Sequence, residues 1–213
     1  MGIIGNADGL GEVRKKELVK SAMQLGVRSE RDVLVLDDKN FPDSMSVTWN
    51  FTLISNTLIS AFAPEISKIK SNAAPKATID AIITFDEHGV SSHPNHKSLY
   101  HGANAFLKAI MAKHAGWECP VKLYTLTTTN IARKYISLVD TPLTILACAF
   151  KRKEAREFPT PLVLVSGLGA VRKAQRAMTS AHRSQMVWFR WGYIGLSRYM
   201  IVNDLVKSKG PGK

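Results

Sequence analysis

Cysteine is scarce in this sequence, which has only two among 213 residues, Cys119 and Cys148. They form no C-x-x-C pair and no even-numbered framework, so the sequence predicts neither a zinc knuckle nor a scaffold held by disulfides. Two isolated thiols are typical of a protein that works in a reducing compartment.

Long apolar segments are also missing. No stretch reaches the roughly 18 uncharged apolar residues that a membrane-spanning helix needs, and the first residues lack the basic and apolar regions of a targeting signal. The closest approach is Met186–Val202, which is interrupted by Arg190 and Arg198. Its mixture of aromatic and arginine residues is typical of a membrane interface. A buried C-terminal helix whose arginine heads reach solvent fits equally well, and both interpretations stay open.

Acidic residues are in the minority, with 17 Asp and Glu against 29 Lys and Arg, for a formal net charge of +12. From Lys151 onward there are thirteen basic and three acidic residues, so most of the excess lies at one end of the sequence. This asymmetry predicts an anionic partner: nucleic acid, an anionic lipid headgroup or a phosphorylated substrate. A basic surface that only keeps the protein soluble is the alternative.

The order of the predicted elements indicates an α/β fold with a largely parallel sheet. Four short apolar runs predict strands: Asp32–Leu36, Ala81–Phe85, Val121–Thr127 and Pro161–Val165. Helical patterns alternate with them: Glu12–Leu25, Trp49–Ile69, His93–Ala115, Asn130–Leu138 and Gly169–Gln185. We expect a single domain over residues 1–206, followed by a disordered basic tail over 207–213.

The most informative segment follows the strand Ala81–Phe85 and contains three of the six histidines. Ligands of parallel α/β sheets bind beyond the carboxyl ends of strands. If Ser92 caps the next helix, His93 and His96 share one face of its first turn. Such a pair can bind a metal, or one ring can bind it while the other transfers protons, and Asp86 could orient one ring. A catalytic zinc needs three protein ligands, so this pair is incomplete by itself.

A second candidate site lies on the predicted helix near the C-terminus. On an unbroken helix, four arginines fall within about 40° of one another and form a stripe suited to phosphate: Arg172, Arg176, Arg183 and Arg190. Aromatic residues follow directly, from Trp188 to Tyr193. Arginines beside aromatics also occur on RNA-binding surfaces. Because no RNP, KH or helix-turn-helix signature accompanies them, nucleic acid ranks below lipid phosphate.

Several ordered blocks resemble one family. The sequence resembles the eukaryotic N-acetylglucosaminyl-phosphatidylinositol de-N-acetylases, which belong to the LmbE-like zinc deacetylases. The resemblance covers most of the chain, from about Gly5 to Met200. It rests on the blocks GEVRKKEL (11–18), FPD (41–43), TFD (84–86), GVSSHPNH (89–96), RKYISL (133–138), HRSQ (182–185), WFR (188–190) and SRYM (197–200).

The resemblance implies a Rossmann-like, LmbE-like fold and a zinc-dependent hydrolase of the second step of GPI-anchor biosynthesis. Its substrate would be the GPI precursor, at the cytoplasmic face of the endoplasmic reticulum membrane, whose anionic surface would be a partner. By the match, His96 would bind zinc and His93 would stabilise the oxyanion. Arg14 and Asp43 would face the sugar, although a helix-surface arginine and a turn aspartate are equally good interpretations.

One family motif has no counterpart here. AHPDDE, which supplies two zinc ligands and the general base in the family, does not occur in these residues. We therefore expect the family's N-terminal strand-helix-strand unit and its membrane segment to be missing, and the deacetylase activity to be absent or impaired. The alternative function is a non-catalytic module, derived from that family, that binds phosphoinositide or a partner protein.

Overall fold

The computed structural model describes residues 2–3, 11–151, 154 and 157–210. The strands are β1 (Gly2–Ile3), β2 (Val35–Leu36), β3 (Ala81–Phe85), β4 (Lys122–Leu126), β5 (Leu162–Val165) and β6 (Val202–Lys207). The helices are α1 (Gly11–Leu25), α2 (Phe51–Phe62), the short turn α3 (Gly89–Ser92), α4 (Pro94–Met111), α5 (Ile131–Lys134), α6 (Asp140–Ala149), α7 (Leu168–Arg176) and α8 (Trp188–Leu196). The predicted α/β class is confirmed.

The chain divides into two compact units. Unit 1 comprises Met1–Ser44, Thr129–Phe150 and Val163–Asn203. Unit 2 comprises Met45–Thr128, Lys151–Leu162 and Asp204–Lys213. Each unit has buried side chains of its own, and each is described separately below.

The main sheet has the strand order β3-β4-β6-β5. Strands β3 and β4 are parallel, and their register pairs Ala81 with Lys122 and Phe85 with Leu126. Strand β6 runs antiparallel to β4, so the sheet is mixed. The sequence did not predict β6, because its letters VNDLVK lack a continuous apolar run. A separate parallel pair joins β1 to β2.

Helices α2 and α4 form the core of unit 2. Ile54 of α2 sits directly on Gly102 of α4, where an added Cβ would lie 2.3 Å from the Ile54 Cγ2 atom. Glycine therefore allows a close approach of the two helices. Phe106 and Ile110, one and two turns further along α4, are fully buried.

The end of the chain departs from the predicted pattern in two places. The helix predicted over Gly169–Gln185 stops at Arg176 and is followed by a π-helical turn, Ala177–Ala181, and a 3-10 turn, Arg183–Gln185. In the π-helical turn, the hydroxyls of Thr179 and Ser180 bond carbonyls four residues earlier, and such bonds often bend helices.

The predicted arginine stripe was therefore wrong in its premise, because its four arginines do not share one helix. The segment Met186–Val202 is not one long helix either. Helix α8 ends before Ser197, whose hydroxyl caps the 3-10 turn Arg198–Met200. Contrary to the expectation of an arginine head in solvent, Arg198 is fully buried.

Two further expectations concern the tail and the membrane. Strand β6 takes in Lys207, the first residue of the predicted tail, and residues 211–213 of that tail lie outside the described part of the chain. Among the described residues, no helix has both the length and the apolar character to span a bilayer.

Candidate active site

The histidine pair lies at the start of α4, shortly after the carboxyl end of β3. His93 is the N-cap residue of α4, and its Nδ1 atom accepts a hydrogen bond of 3.2 Å from the Asn95 amide. Pro94 follows in the first turn, where its missing N–H costs no helical bond. His96 comes one turn later, and the two imidazole rings stack with centroids 4.8 Å apart. The predicted placement of both rings at one helix start is confirmed, although His93 and not Ser92 is the cap.

The ring of His96 is held from two sides. Its Nδ1 atom lies 3.0 Å from the carbonyl oxygen of Gly89, and Phe85 stacks on its face with centroids 3.9 Å apart. A carbonyl can only accept a hydrogen bond, so Nδ1 carries the proton and the lone pair of the neutral ring is on Nε2. Metal-binding histidines are oriented in this same way.

His93 has the opposite tautomer. Because its Nδ1 accepts from the Asn95 amide, the proton of the neutral ring is on Nε2. His93 can therefore donate a hydrogen bond from Nε2, while His96 offers a lone pair at the equivalent atom. The arrangement suits one ring that stabilises a negative oxygen and one that binds a cation.

The loop between β3 and α4 is organised by Asp86, but in a way that differs from the prediction. Its carboxylate accepts hydrogen bonds from the amides of His88, Gly89 and Thr128 and from the Thr128 hydroxyl, and it does not orient either imidazole ring directly. Thr128 was not singled out from the sequence. The parallel pairing of two predicted strands could have revealed it, because polar residues after neighbouring strands meet at the same sheet edge.

The fit of this site to zinc is partial. His96 has the tautomer and the carbonyl partner of a metal ligand, and it can supply one of the three protein ligands that a catalytic zinc needs. Within the described residues, no group of three His, Cys, Asp or Glu side chains could hold a metal ion. His88 and His101 are exposed, and His114 is buried against the carbonyl of Ala73. Among the described residues, His96 thus has the geometry of a single metal ligand, and no complete metal site is formed there.

A second cluster of polar residues lies in unit 1, between α1 and the turn after α7. Glu17 accepts hydrogen bonds from the amide and hydroxyl of Ser184, and its carboxylate is 3.4 Å from Nδ1 of His182. Burial alone would raise the pKa of Glu17, but the Ser184 bonds and the nearby His182 lower it on balance. Burial lowers the pKa of His182, and Glu17 opposes this change only in part.

Arg190 joins this cluster from α8, where its guanidinium donates a 3.1 Å hydrogen bond to Gln185. Burial and then the charge of Arg14 lower the pKa of Arg190, and the charge of Asp43 opposes them. Two other predicted residues, Arg14 and Asp43, are thus close enough to Arg190 for their charges to act on it. Their predicted contacts with sugar and phosphate stay predictions.

The remaining predicted arginines are exposed. Arg172 and Arg176 lie on α7 and Arg183 lies on the 3-10 turn, so they do not continue the row to Arg190. Next to them in the sequence, α8 exposes large aromatic side chains: Trp188 at 85%, Phe189 at 57% and Trp191 at 59%. Exposed aromatics of this size on one short helix indicate a surface that contacts something other than water.

Known proteins match the chain over most of its length. The family described as "PIG-L: GlcNAc-PI de-N-acetylase" matches residues 3–134. The N-acetylglucosaminyl-phosphatidylinositol de-N-acetylase of Arthroderma benhamiae is 48% identical over 231 residues, covering 96% of this chain and 69% of that protein. The protein of that name from Bos taurus is 36% identical, with 94% of this chain and 68% of the relative covered. The probable enzyme of Schizosaccharomyces pombe is 34% identical, with 96% and 71% covered.

Proposed function

Because the chain belongs to the PIG-L family of GlcNAc-PI de-N-acetylases, we propose that it is a hydrolase of N-acetylglucosaminyl-phosphatidylinositol in GPI-anchor biosynthesis. The observation that supports this most directly is the opposite tautomers of two adjacent rings, His93 and His96. Amide hydrolysis needs both a donor for the oxyanion and a ligand for an electrophile.

In the proposed reaction, water adds to the acetamide carbon, the bond from that carbon to nitrogen breaks as the nitrogen takes up a proton from the added water, and acetate and the amine of glucosamine leave. The Nε2–H group of His93 donates to the carbonyl oxygen as negative charge develops on it. His96 would be one ligand of a zinc ion through Nε2, held by the Gly89 carbonyl on its other nitrogen. Zinc, when bound, supplies Lewis-acid polarisation and lowers the pKa of water.

We propose in addition that these 213 residues alone turn over slowly. They contain no AHPDDE string, and the described residues offer no group of three metal-binding side chains. A single imidazole binds zinc weakly and cannot complete a catalytic site.

Metal content and acetate release from a synthetic N-acetylglucosaminyl-phosphatidylinositol test both parts. We expect acetate release to be slow, and to fall to background in His93→Ala and in His96→Ala. Zinc retained after dialysis should be low and should fall further in His96→Ala only. His101→Ala, an exposed histidine on the same helix, is the control. Fast zinc-dependent release would contradict the impairment, and release unaffected by both histidine substitutions would contradict the assignment of the site.

The predicted sugar site can be tested separately in unit 1. Arg14 and Asp43 are proposed to bind the glucosamine, and Arg190 the phosphate, because the charges of Arg14 and Asp43 both act on Arg190 there. We expect Arg190→Gln to weaken binding of glucosaminyl-phosphatidylinositol by about 10-fold, the loss of one charged hydrogen bond. Arg31→Gln, which changes an exposed arginine of unit 1 outside the proposed sites, should leave binding unchanged. Equal effects of the two substitutions would contradict the proposal.

A membrane contact is the second proposed function, and the exposed aromatics of α8 favour it. Trp188 and Trp191 would insert at the headgroup level, while the exposed Arg172, Arg176 and Arg183 meet anionic lipid. The partner would be the cytoplasmic face of the endoplasmic reticulum membrane. This contact would also serve a non-catalytic module that binds phosphoinositide.

Vesicle flotation tests the membrane contact. We expect the chain to float with vesicles that contain phosphatidylinositol, less so with neutral phosphatidylcholine, and less at high salt. A double substitution, Trp188→Ser with Trp191→Ser, should abolish flotation. Trp117→Ser, which changes another exposed tryptophan, should not. Flotation that survives the double substitution would refute the contact.

A further inference from the structure

Asp86 lies at the centre of a hydrogen-bond network that ends at His96. Its Oδ1 atom accepts from the Gly89 amide at 3.0 Å and from the Thr128 hydroxyl at 2.6 Å. Its Oδ2 atom accepts from the Thr128 amide at 2.6 Å. The carboxylate therefore ties the loop after β3 to the residue that follows the neighbouring strand β4.

The Thr128 hydroxyl extends this network to the next residue of the loop. It donates to Asp86 and accepts from the Val90 amide at 2.8 Å, so a single oxygen bridges the carboxylate and the loop backbone. Charged acceptors make such bonds shorter and stronger than neutral ones. The network thus fixes two consecutive backbone positions, Gly89 and Val90.

These positions need to be fixed because their backbone is unusual. Gly89, Val90 and Ser92 have φ values of 65°, 63° and 59°. For a β-branched residue such as Val90 this left-handed conformation is strained, and it persists only where the surroundings over-determine it. The bonds from Asp86 and Thr128 provide that restraint.

The strained turn has a direct consequence for His96. It brings the Gly89 carbonyl to 3.0 Å from His96 Nδ1, and the backbone so close that a Cβ at Gly89 would lie 2.9 Å from the Cβ of His96. The acceptor that selects the ring tautomer is therefore a backbone atom whose orientation depends on the loop. Without the loop restraint, the carbonyl would be released from the ring.

We propose that Asp86 and Thr128 are positioning residues that hold His96 in the tautomer with its lone pair on Nε2, acting through the Gly89 carbonyl. That this tautomer serves to bind a metal rests on the proposed function. The tautomer itself is a property of the ring and can be measured independently of activity. Neither residue needs to touch substrate. A role limited to loop stability would leave the tautomer unchanged whenever the protein stays folded.

Nitrogen-15 NMR of the histidine rings measures the tautomer directly, without any activity assay. Spectra of the 213-residue chain are recorded at about pH 8.5, well above the ordinary histidine pKa of about 6.5. His96 is identified by the signal that disappears in His96→Gln. We expect the wild-type ring to be almost entirely protonated at Nδ1. In Asp86→Ala and in Thr128→Val we expect most of that population to shift to Nε2–H.

Two controls make the result decisive. Thr128→Ser keeps the hydroxyl and should keep the Nδ1–H tautomer, and Asp80→Ala changes an exposed aspartate next to β3 and should do the same. If Asp86→Ala does not fold, the Thr128→Val and Thr128→Ser pair decides. A ring that stays protonated at Nδ1 in folded Thr128→Val would overturn the proposal. Acetate release that is unaffected by His93→Ala and His96→Ala, together with an intact wild-type tautomer, would instead count against the proposed hydrolase site.

Discussion

A buried carboxylate in unit 1, that of Asp140, is shared by two arginines. Asp140 and Arg198 are both fully buried, with the Arg198 Nε atom 2.8 Å from Oδ2. Arg133 reaches the other oxygen at 2.6 Å, and Thr144 donates to Oδ2 at 2.8 Å. Asp140→Asn removes the negative charge at almost constant volume. It removes the negative charge that the Arg198 guanidinium meets in the interior.

The size of the effect follows from burial. Removing one member of a buried ion pair costs about 3–5 kcal/mol, because the remaining charge stays desolvated. The exposed pair Arg28–Asp32, at 3.3 Å, is the natural comparison, since exposed pairs contribute about 0–1 kcal/mol. With a urea dependence of about 2–3 kcal/mol per M, Asp140→Asn should lower the unfolding midpoint by roughly 1–2.5 M.

Urea unfolding followed by circular dichroism checks this magnitude. We expect Asp32→Asn to shift the midpoint by less than about 0.5 M, within the contribution of an exposed pair. A double replacement, Asp140→Leu with Arg198→Met, should lower the urea midpoint less than Asp140→Asn does, because it removes both members of the buried ion pair. Similar midpoints for Asp140→Asn and Asp32→Asn would refute the reasoning.

Two further predictions follow from local geometry and charge. The pKa values of His182 and Glu17 are lowered from 6.5 and 4.5, so the folded state should lose stability as pH falls below each value. Thermal melts between pH 8 and 4 should show both losses, with His182→Gln removing the first and Glu17→Gln the second. Gly102→Ala should lower the free energy of unfolding by about 1–3 kcal/mol, since the new Cβ would overlap Ile54. Gly169→Ala should leave it unchanged, because no atom lies within 4 Å of the position of its Cβ. A melt equal to wild type for Gly102→Ala would contradict the α2–α4 packing.

The strand β3 and the histidine pair could be predicted from the sequence because both depend on local signals. The predicted strand Ala81–Phe85 has the same bounds in the structure. The three-residue spacing of His93 and His96, with Pro94 between them, determines a shared position at a helix start. Short-range chemistry of this kind needs no knowledge of the rest of the fold.

The arginine stripe failed because an angular projection assumes an unbroken helix. The π-helical turn Ala177–Ala181 interrupts the rotation of 100° per residue that an α-helix would give. Arginines that fall on one face of the projected helix therefore lie on different elements. The burial of Arg198 could not be predicted from the sequence either. Its carboxylate partner, Asp140, comes from a helix that the sequence did not predict, and no local pattern shows that two distant charges will meet in the interior.

Asp86 could be predicted from the sequence as a site residue, but its partner Thr128 could not. The sequence placed a carboxylate beside two imidazoles, and direct contact was the simplest hypothesis. The structure shows instead that Asp86 reaches His96 through Thr128, the loop backbone and the Gly89 carbonyl. Thr128 lies 42 residues away along the chain, and only the register of β3 against β4 brings it close.

The two neutral rings have opposite tautomers. His93 gives its Nδ1 lone pair to the helix start, and His96 gives its Nδ1 proton to a loop carbonyl, so both contacts are to backbone groups. Backbone groups do not titrate, and the tautomers are therefore set by fold geometry over the whole range in which the rings are neutral. The chemical difference between two identical side chains thus depends on which backbone group each one meets, which explains why the strained loop before α4 matters as much as the histidines themselves.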